Sequence, residues 1–135
     1  MASIFTKIVK REIPAYIVAE DDANIAILDI NPLVIGHTLV IPKKEVDYYY
    51  DLDIDDFDNL NRFARKVAKA IESVIPCLRI GVAVVGLEVP HTHIHLVPLN
   101  SMGDINFSKP KLKLTKEEFQ QTLEKIDKAY RGLMS

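Results

Sequence analysis

Three of the chain's four histidines occur on alternate residues, at His91, His93 and His95. Side chains alternate between the two faces of a β-strand, so a strand here would place all three imidazoles on one face. Ile94 and Leu96 would then face the core. Imidazoles two residues apart lie about 7 Å from each other along a strand. That spacing allows one imidazole to attack a reacting atom while its neighbours contact the ligands of the same atom.

Three interpretations of this histidine run compete. A solvent-facing strand could carry it, although three of four histidines in strict alternation is unusual for such a surface. A metal site is the second interpretation, because His-x-His on a strand can bind zinc or iron, with His37 or Glu88 as a further ligand. The third is nucleophilic catalysis, in which a neutral imidazole attacks phosphorus and forms a covalent intermediate. The spacing alone does not distinguish a metal site from nucleophilic catalysis.

The rest of the sequence predicts a sheet that could hold this run. Short runs rich in β-branched residues predict five strands, at 16–20, 25–29, 37–41, 79–85 and 92–97. Apolar residues recur every three or four positions from Phe57 to Val74, which predicts a helix that Pro76 ends. A second helix is expected from the capping-box pattern at 115–118, with an apolar stripe that reaches Leu133. The predicted fold class is α+β, with a five-stranded antiparallel sheet and two main helices.

Composition narrows the class of protein. With Lys+Arg 17 against Asp+Glu 19, the chain lacks the excess of basic residues that is typical of a dedicated nucleic-acid-binding protein. Its single cysteine excludes an intramolecular disulfide and a zinc site built from several cysteines. No apolar stretch approaches the roughly 20 residues that span a bilayer, and the charged N-terminal segment does not fit a signal peptide. We expect a cytoplasmic protein with a single domain over residues 1–135 and no membrane association.

Several segments together carry a resemblance to a known family. They are 4–8, 12–14, 20–22, 29–32, 36–43 and the histidine run itself. In this order they resemble the histidine triad (HIT) superfamily, and within it the Hint-like nucleotide-binding branch, over about residues 3–98. Residues 99–135 are expected to form an irregular tail and a C-terminal helix. The resemblance implies a HIT-like fold whose sheets are joined across a homodimer.

The resemblance also implies roles for all four histidines. His93 matches the family nucleophile, which attacks the α-phosphorus of a nucleotide. His95 matches the histidine that contacts the phosphate oxygens, and His91 matches the one that helps to orient the nucleophile. His37 matches a fourth histidine, on a neighbouring strand, that supports the triad from behind.

A nucleotide-binding set follows from the same resemblance. Asp29 matches the acidic residue that accepts hydrogen bonds from the ribose hydroxyls, although it could also be only a turn former. The remaining members of the predicted set are Ile30, Phe5, Ile4, Ile8, Ile27, Glu88 and Val89. Phe5, Ile4, Ile8 and Ile27 match an apolar wall around the base. Phe5, Ile8 and Ile27 could equally be core residues.

The chain departs from the family pattern at a few positions. Thr6 stands where many members have a zinc-binding cysteine, so no metal site is expected. Leu87 and Glu88 replace residues whose amide and hydroxyl groups hold phosphate, and Ala83 replaces an asparagine. A carboxylate at position 88 would repel a bound phosphate.

The resemblance therefore implies a hydrolase or nucleotidyl transferase. Its substrate would be a purine mononucleotide or nucleotide conjugate, cleaved at a P–N or P–O–P bond in phosphoramidase-like chemistry without a cofactor. The alternatives are a non-catalytic nucleotide-binding module and a metal-binding protein that uses the histidine run. We also expect a homodimer, because the apolar strand at 79–85 would otherwise be an exposed edge, and Gly81 would let a partner strand approach.

Overall fold

The computed structural model describes residues 2–134, and these form a five-stranded sheet with three α-helices. The strands are β1 (Ile17–Glu20), β2 (Asn24–Leu28), β3 (Thr38–Pro42), β4 (Arg79–Ala83) and β5 (Ile94–Leu99). The helices are α1 (Ile4–Val9), α2 (Ile54–Val74) and α3 (Lys116–Met134). Short 3₁₀ turns occupy Tyr49–Asp51 and Met102–Ile105.

The sheet has the strand order β1-β2-β3-β5-β4, and every neighbouring pair is antiparallel. β1 and β2 form the expected hairpin, whose turn is closed by the Asp21 side chain accepting hydrogen bonds from the N–H groups of Ala23 and Asn24. β3 lies beside β5, with Leu39 opposite His95. The segment that leads into β3 therefore lies next to the histidine run.

Helices cover the sheet on both faces. The apolar stripe of α2 and the buried residues of α3 pack against one face and form the main core with Val40, Ile94 and Leu96. Alternate residues of the central strands point to the other face. There α1 completes a second cluster, the α1-face cluster, which consists of Phe5, Ile8, Ile25, Ile27, Leu39 and Ile41. His95 lies on this second face, because its strand partner Leu39 belongs to the cluster.

The two long helices begin and end as the sequence predicts. Asp53 caps α2 by accepting a hydrogen bond from the Asp56 N–H at 3.0 Å, and the helix ends at Val74, just before Pro76. At the start of α3, Glu118 N–H donates to Thr115 Oγ1 at 3.1 Å, and Thr115 N–H donates back to Glu118 Oε1 at 3.0 Å. This reciprocal pair is the predicted capping box.

Several sequence expectations differ from the structure, and α1 was not predicted at all. β5 begins at Ile94 rather than Thr92, and β4 ends at Ala83 rather than Val85. A tertiary contact moves the start of β5: Thr92 donates both its N–H and its hydroxyl to the Val46 carbonyl, so the chain before Ile94 leaves the ladder. Leu133, expected in the buried stripe of α3, is 55% exposed.

Two features tied to the expected dimer also have another role. A Cβ added at Gly81 would lie 2.6 Å from Leu99 Cδ1, so the missing side chain makes room for a residue of the same chain. Ile71, near the end of the α2 stripe, is fully buried in the main core and is not available to pack against a second copy. Within residues 2–134, no helix combines the length and apolar character needed to cross a membrane.

Candidate active site

The structure brings the four histidines together in the interior. His91 and His37 are fully buried, and His93 and His95 are each less than a tenth exposed. Only His95 lies within β5, because His91 and His93 belong to the segment just before it. The rings of His93 and His95 nevertheless lie edge to face, with centroids 5.0 Å apart.

Hydrogen bonding fixes the tautomer of neutral His93. Its Nδ1 lies 2.8 Å from the main-chain oxygen of His91. A carbonyl oxygen only accepts, so Nδ1 carries the proton. The other ring nitrogen, Nε2, then holds a free lone pair, and no hydrogen bond within residues 2–134 engages it. His93 is thus arranged as a nucleophile or a metal ligand through Nε2.

A second chain of hydrogen bonds fixes the tautomers of His37 and His95. The Leu33 N–H donates to His37 Nδ1 at 3.0 Å, so the proton of neutral His37 is on Nε2. That Nε2 lies 2.9 Å from His95 Nδ1 and donates to it. The proton of neutral His95 must then be on its own Nε2. His95 therefore offers an N–H donor, and its ring lies next to the ring of His93.

Both members of this histidine pair are held neutral. Burial lowers the pKa of His95 to about 3, with further contributions from His37 and His93. Burial also lowers the pKa of His37 to about 4, and the positive charge of Lys111 adds to the effect. At neutral pH the pair consequently acts through oriented N–H dipoles rather than through net charge.

His91 is bound at both ring nitrogens. Its Nε2 lies 2.7 Å from the Pro42 carbonyl oxygen and must be the protonated nitrogen. Its Nδ1 then accepts a hydrogen bond from the Ser3 hydroxyl, also at 2.7 Å. Burial lowers the pKa of His91, which agrees with a neutral ring.

Asp29 lies beside the histidine pair, at the end of β2. One carboxylate oxygen accepts a hydrogen bond from the Asn31 N–H at 2.9 Å, as expected of a turn former. The other oxygen is 3.6 Å from His37 Nε2. Burial raises the pKa of Asp29, and the negative charge of Glu88 adds to that effect. The carboxylate is therefore close to the site and partly open to a ligand.

Apart from Asp29, the residues predicted to bind the nucleotide divide into two groups. Phe5, Ile8 and Ile27 are buried in the α1-face cluster, as core residues would be, and the Phe5 ring also meets His93 edge to face at 5.0 Å. Val89 packs against the same cluster. The other three residues are exposed and free to meet a ligand: Ile4, Ile30 and Glu88.

Sequence reasoning missed a wall contributed by the tail. The Phe107 ring packs edge to face against His95 at 4.7 Å and lies 6.2 Å from the His37 ring. Further along the tail, the Leu112 N–H donates to the Pro32 carbonyl, which ties this segment to the loop after Asp29. Phe107 belongs to no periodic pattern, so no sequence signal indicated it. Ser3, by contrast, could have been recognised as a helix N-cap residue.

The geometry does not favour the metal interpretation of the histidine run. Both ring nitrogens of His91 and the Nδ1 of His93 are used in hydrogen bonds, which leaves too few lone pairs for His91, His93 and His95 to share one ion. Asp29, His37 and His95 do place three potential ligand atoms within 4.8 Å of one another. Two of these atoms, however, are hydrogen-bonded to each other.

The position of the family zinc also has unsuitable donors in this chain. Thr6 is surrounded by Ser3, Glu45 and His91, and these groups satisfy one another: the Thr6 hydroxyl donates to Glu45 at 2.6 Å, and Ser3 bonds His91. Zinc sites are built from thiolate, imidazole and carboxylate ligands, and two neutral hydroxyls are poor substitutes. The residues present do not fit a structural zinc.

A surface concavity of about 780 Å³ lies away from the histidines. It is lined by residues of β1 and the last turns of α3, including Glu20, Tyr130 and Arg131, and by none of the histidines. The histidine site is instead a row of buried rings, in which His93 Nε2 holds a lone pair and His95 Nε2 carries a proton.

Comparison with known proteins places this arrangement in a family. The family model of the HIT domain matches residues 10–102, more than half of the chain. The chain belongs to the HIT family. The match spans β1 to β5, and with them Asp29 and all four histidines.

Individual relatives extend the likeness over nearly the whole chain. An uncharacterised HIT-like protein of Borreliella burgdorferi is 35% identical over 126 residues, covering 87% of this chain and 91% of its own length. The adenosine 5′-monophosphoramidase of Schizosaccharomyces pombe is 32% identical over 128 residues, covering 93% of this chain and 96% of its own. Among solved structures, a hypothetical histidine triad nucleotide-binding protein from Sulfolobus tokodaii superposes with a TM-score of 0.82 at 29% identity, over 96% of this chain and 92% of its own.

Proposed function

We propose that this HIT protein is a nucleotide hydrolase that cleaves a nucleoside phosphoramidate, or a related mononucleotide conjugate, through a covalent intermediate on His93. The observation that carries the proposal is the fixed tautomer of His93. Its proton is held on Nδ1 by the His91 carbonyl, so Nε2 holds a lone pair, and the neighbouring His95 ring carries its proton on Nε2. An unprotonated imidazole nitrogen next to an N–H donor suits attack at phosphorus, where negative charge must be bound at the same time.

In the first step, His93 Nε2 attacks the α-phosphorus in line with the leaving group. A P–Nε2 bond forms, the bond from phosphorus to the leaving amine or phosphate breaks, and the leaving group takes a proton from solvent or from an acid in the site. The ring becomes positively charged as the bond forms. The His91 carbonyl, which already accepts the Nδ1–H, stabilises that charge.

His95 is proposed to donate a hydrogen bond to the negative oxygens of the phosphoryl group. Its Nε2 carries the ring proton, because His37 donates to its Nδ1, and its ring lies edge to face with the His93 ring. A neutral N–H donor that is already oriented needs no reorganisation during the reaction. In the second step, water attacks phosphorus, the P–Nε2 bond breaks, and the nucleoside monophosphate leaves with His93 restored to its neutral form.

The nucleoside is proposed to lie between Asp29 and the apolar residues near α1. The open oxygen of Asp29 would accept hydrogen bonds from the ribose hydroxyls, and Ile4, Ile30 and Phe5 would contact the base. The phosphoramidase named among the relatives acts on an adenosine compound, which supports a purine mononucleotide as the ligand. No metal or cofactor takes part in these steps.

A non-catalytic nucleotide-binding module is the second candidate. It is favoured by the segment just before the histidines, where Leu87 and Glu88 are exposed and carry none of the phosphate-holding groups of the family pattern. The Glu88 carboxylate also adds negative charge near Asp29. These residues weaken the support for phosphate but leave the nucleophile and its hydrogen bonds unchanged.

The two candidates differ in turnover. We would follow hydrolysis of adenosine 5′-phosphoramidate by phosphorus NMR, and measure AMP binding by calorimetry, for the wild type, His93→Ala and His93→Asn. We expect wild-type turnover, a loss of at least a thousandfold in both variants, and AMP affinities within a few-fold of one another. Wild-type binding without turnover would favour the binding module. A variant that keeps a tenth of the activity would show that His93 is not the nucleophile.

A further inference from the structure

A closed set of hydrogen bonds lies behind the proposed nucleophile. We name it the Ser3 clasp, and it consists of the side chains of Ser3, Thr6 and Glu45 around the His91 ring. Ser3 and Thr6 belong to the start of α1, Glu45 follows β3, and His91 precedes β5. The clasp therefore joins three segments that are far apart in the sequence, at the point where the histidine run enters the sheet.

The direction of each hydrogen bond in the clasp can be assigned. His91 Nδ1 accepts from the Ser3 hydroxyl at 2.7 Å, because Nε2 carries the ring proton. The same Ser3 oxygen accepts from the Thr6 N–H at 3.0 Å. Glu45 Oε1 accepts from the Ser3 N–H at 2.7 Å and from the Thr6 hydroxyl at 2.6 Å. Each donor has a good acceptor, so one arrangement of protons satisfies the whole set.

The clasp acts on the group that orients His93. With its ring held at both nitrogens, His91 has little freedom to rotate, and its N–H is also bound, to the Val89 carbonyl at 2.8 Å. The main-chain carbonyl oxygen of His91 accepts the hydrogen bond from the Nδ1–H of His93. Phe5, two residues after Ser3, packs edge to face on the His93 ring. Both supports of the His93 ring thus depend on segments that the clasp joins.

We propose that Ser3 and Glu45 are positioning residues for the nucleophile: acting through His91, they hold His93 in the tautomer and orientation that leave Nε2 free. This inference rests on the proposed function, in which His93 attacks phosphorus. The competing explanation is that Ser3 is only the N-cap of α1, in which case its loss would lower stability and leave the chemistry unchanged.

The kinetic test uses Ser3→Ala and Glu45→Ala, with Ser3→Thr as the rescuing variant, since it restores a hydroxyl. Asp53→Ala is the matched control, because Asp53 caps α2 in the same manner. With adenosine 5′-phosphoramidate, we expect kcat to fall about tenfold or more in both alanine variants while KM changes less than threefold, since small displacements of a reacting group are costly. Ser3→Thr should recover most of kcat. Asp53→Ala should lower the unfolding midpoint with kcat unchanged.

Nitrogen-15 NMR of labelled histidine provides a readout that does not depend on activity. We expect the Nδ1–H form of His93 in the wild type and in Asp53→Ala, and a raised share of the Nε2–H form in Ser3→Ala and Glu45→Ala. An unchanged tautomer in both alanine variants would overturn the proposal, whatever happens to stability. If the wild type does not turn over the substrate, the proposed function fails, and the tautomer measurement still decides whether the clasp orients His93.

Discussion

Hydrogen bonds to main-chain atoms fix the tautomers of His91, His93 and His37, and His37 in turn fixes the tautomer of His95. A carbonyl fixes the proton of His93 on Nδ1, and the Leu33 N–H fixes the proton of His37 on Nε2. His95 takes its tautomer from His37. Because main-chain groups do not change protonation, the acceptor nitrogen of His93 and the donor nitrogen of His95 are set before a ligand binds.

Glu88 should tune phosphate affinity. It is exposed, its charge raises the pKa of nearby Asp29, and it would oppose a bound phosphate. Glu88→Gln should therefore tighten binding of AMP by about 1 kcal/mol, as measured by calorimetry. Glu124→Gln removes the same charge from the exposed face of α3 and should leave affinity unchanged. Weaker binding in Glu88→Gln would mean that the carboxylate assists the ligand.

The buried pair His37 and His95 should make stability fall in mild acid. Their folded pKa values, about 4 and about 3, lie below the unfolded value near 6.5, so the unfolded chain binds more protons between these limits. The contribution of these two histidines to the free energy of unfolding should be constant above pH 6.5. Below pH 6.5 the free energy of unfolding should decrease. At pH 5, each histidine that stays neutral in the folded state lowers the free energy of unfolding by about 2 kcal/mol.

Denaturant unfolding at pH 7.5 and pH 5.0 checks this expectation, and NMR of the ring C–H groups assigns it. Neither ring should titrate above pH 5. Equal unfolding free energies at the two pH values, or a His95 titration near pH 6.5, would show that burial does not hold the pair neutral.

Among the elements, the loop into β3 is the one that positions His37. Gly36 has φ +93°, a conformation that side chains disfavour, and an added Cβ would lie 3.2 Å from both Ile75 and Pro98. Gly86 also has a positive φ, +71°, but an added Cβ there would meet nothing within 4 Å. The two glycines therefore form a matched pair that separates backbone strain from crowding.

Gly36→Ala should lower the free energy of unfolding by about 2 kcal/mol, and Gly86→Ala by about 1 kcal/mol, in urea titrations. Only Gly36→Ala should also lower kcat, because His37 is the next residue and holds His95. Equal costs for the two variants, with equal activity, would show that the close packing around Gly36 is of no consequence.

The sequence predicted elements whose signals are periodic or local. The stripe of α2, the capping box of α3 and the β1–β2 turn all have such signals, and all are confirmed. Helix α1 was missed because six residues are too few to show a helical period. The start of β5 was misplaced because a tertiary contact, from Thr92 to Val46, ends the ladder.

The histidine spacing likewise predicted the candidate site residues but not their tautomers. Those depend on the carbonyl of His91 and on Leu33, which only the folded chain brings into range. Phe107 depends in the same way on the path of the tail.

For the whole molecule, we propose a homodimer formed through β4. This strand is at one end of the sheet order and pairs only with β5, and Val82 on it is 63% exposed. An apolar edge of this kind is a template for pairing with another chain, and a second copy would cover it by two-fold symmetry.

Sedimentation at micromolar concentration should give about twice the mass of the chain. Val82→Lys should shift the protein towards the monomer, because lysine on an edge strand opposes pairing. Leu133→Lys is the matched control, since Leu133 is 55% exposed on α3, which packs against β1 at the opposite edge of the sheet. A wild-type monomer with full activity would contradict the dimer.

The most direct test of the central claim is whether His93 carries the nucleotidyl group during turnover. Protein mixed with adenosine 5′-phosphoramidate would be quenched under alkaline denaturing conditions within a single turnover, and its intact mass and digested peptides measured. We predict a mass increase of one adenylyl group, located on His93, that is absent from His93→Ala and from protein quenched after the substrate is consumed. Turnover without an adduct at any time, or an adduct on another residue, would contradict the account.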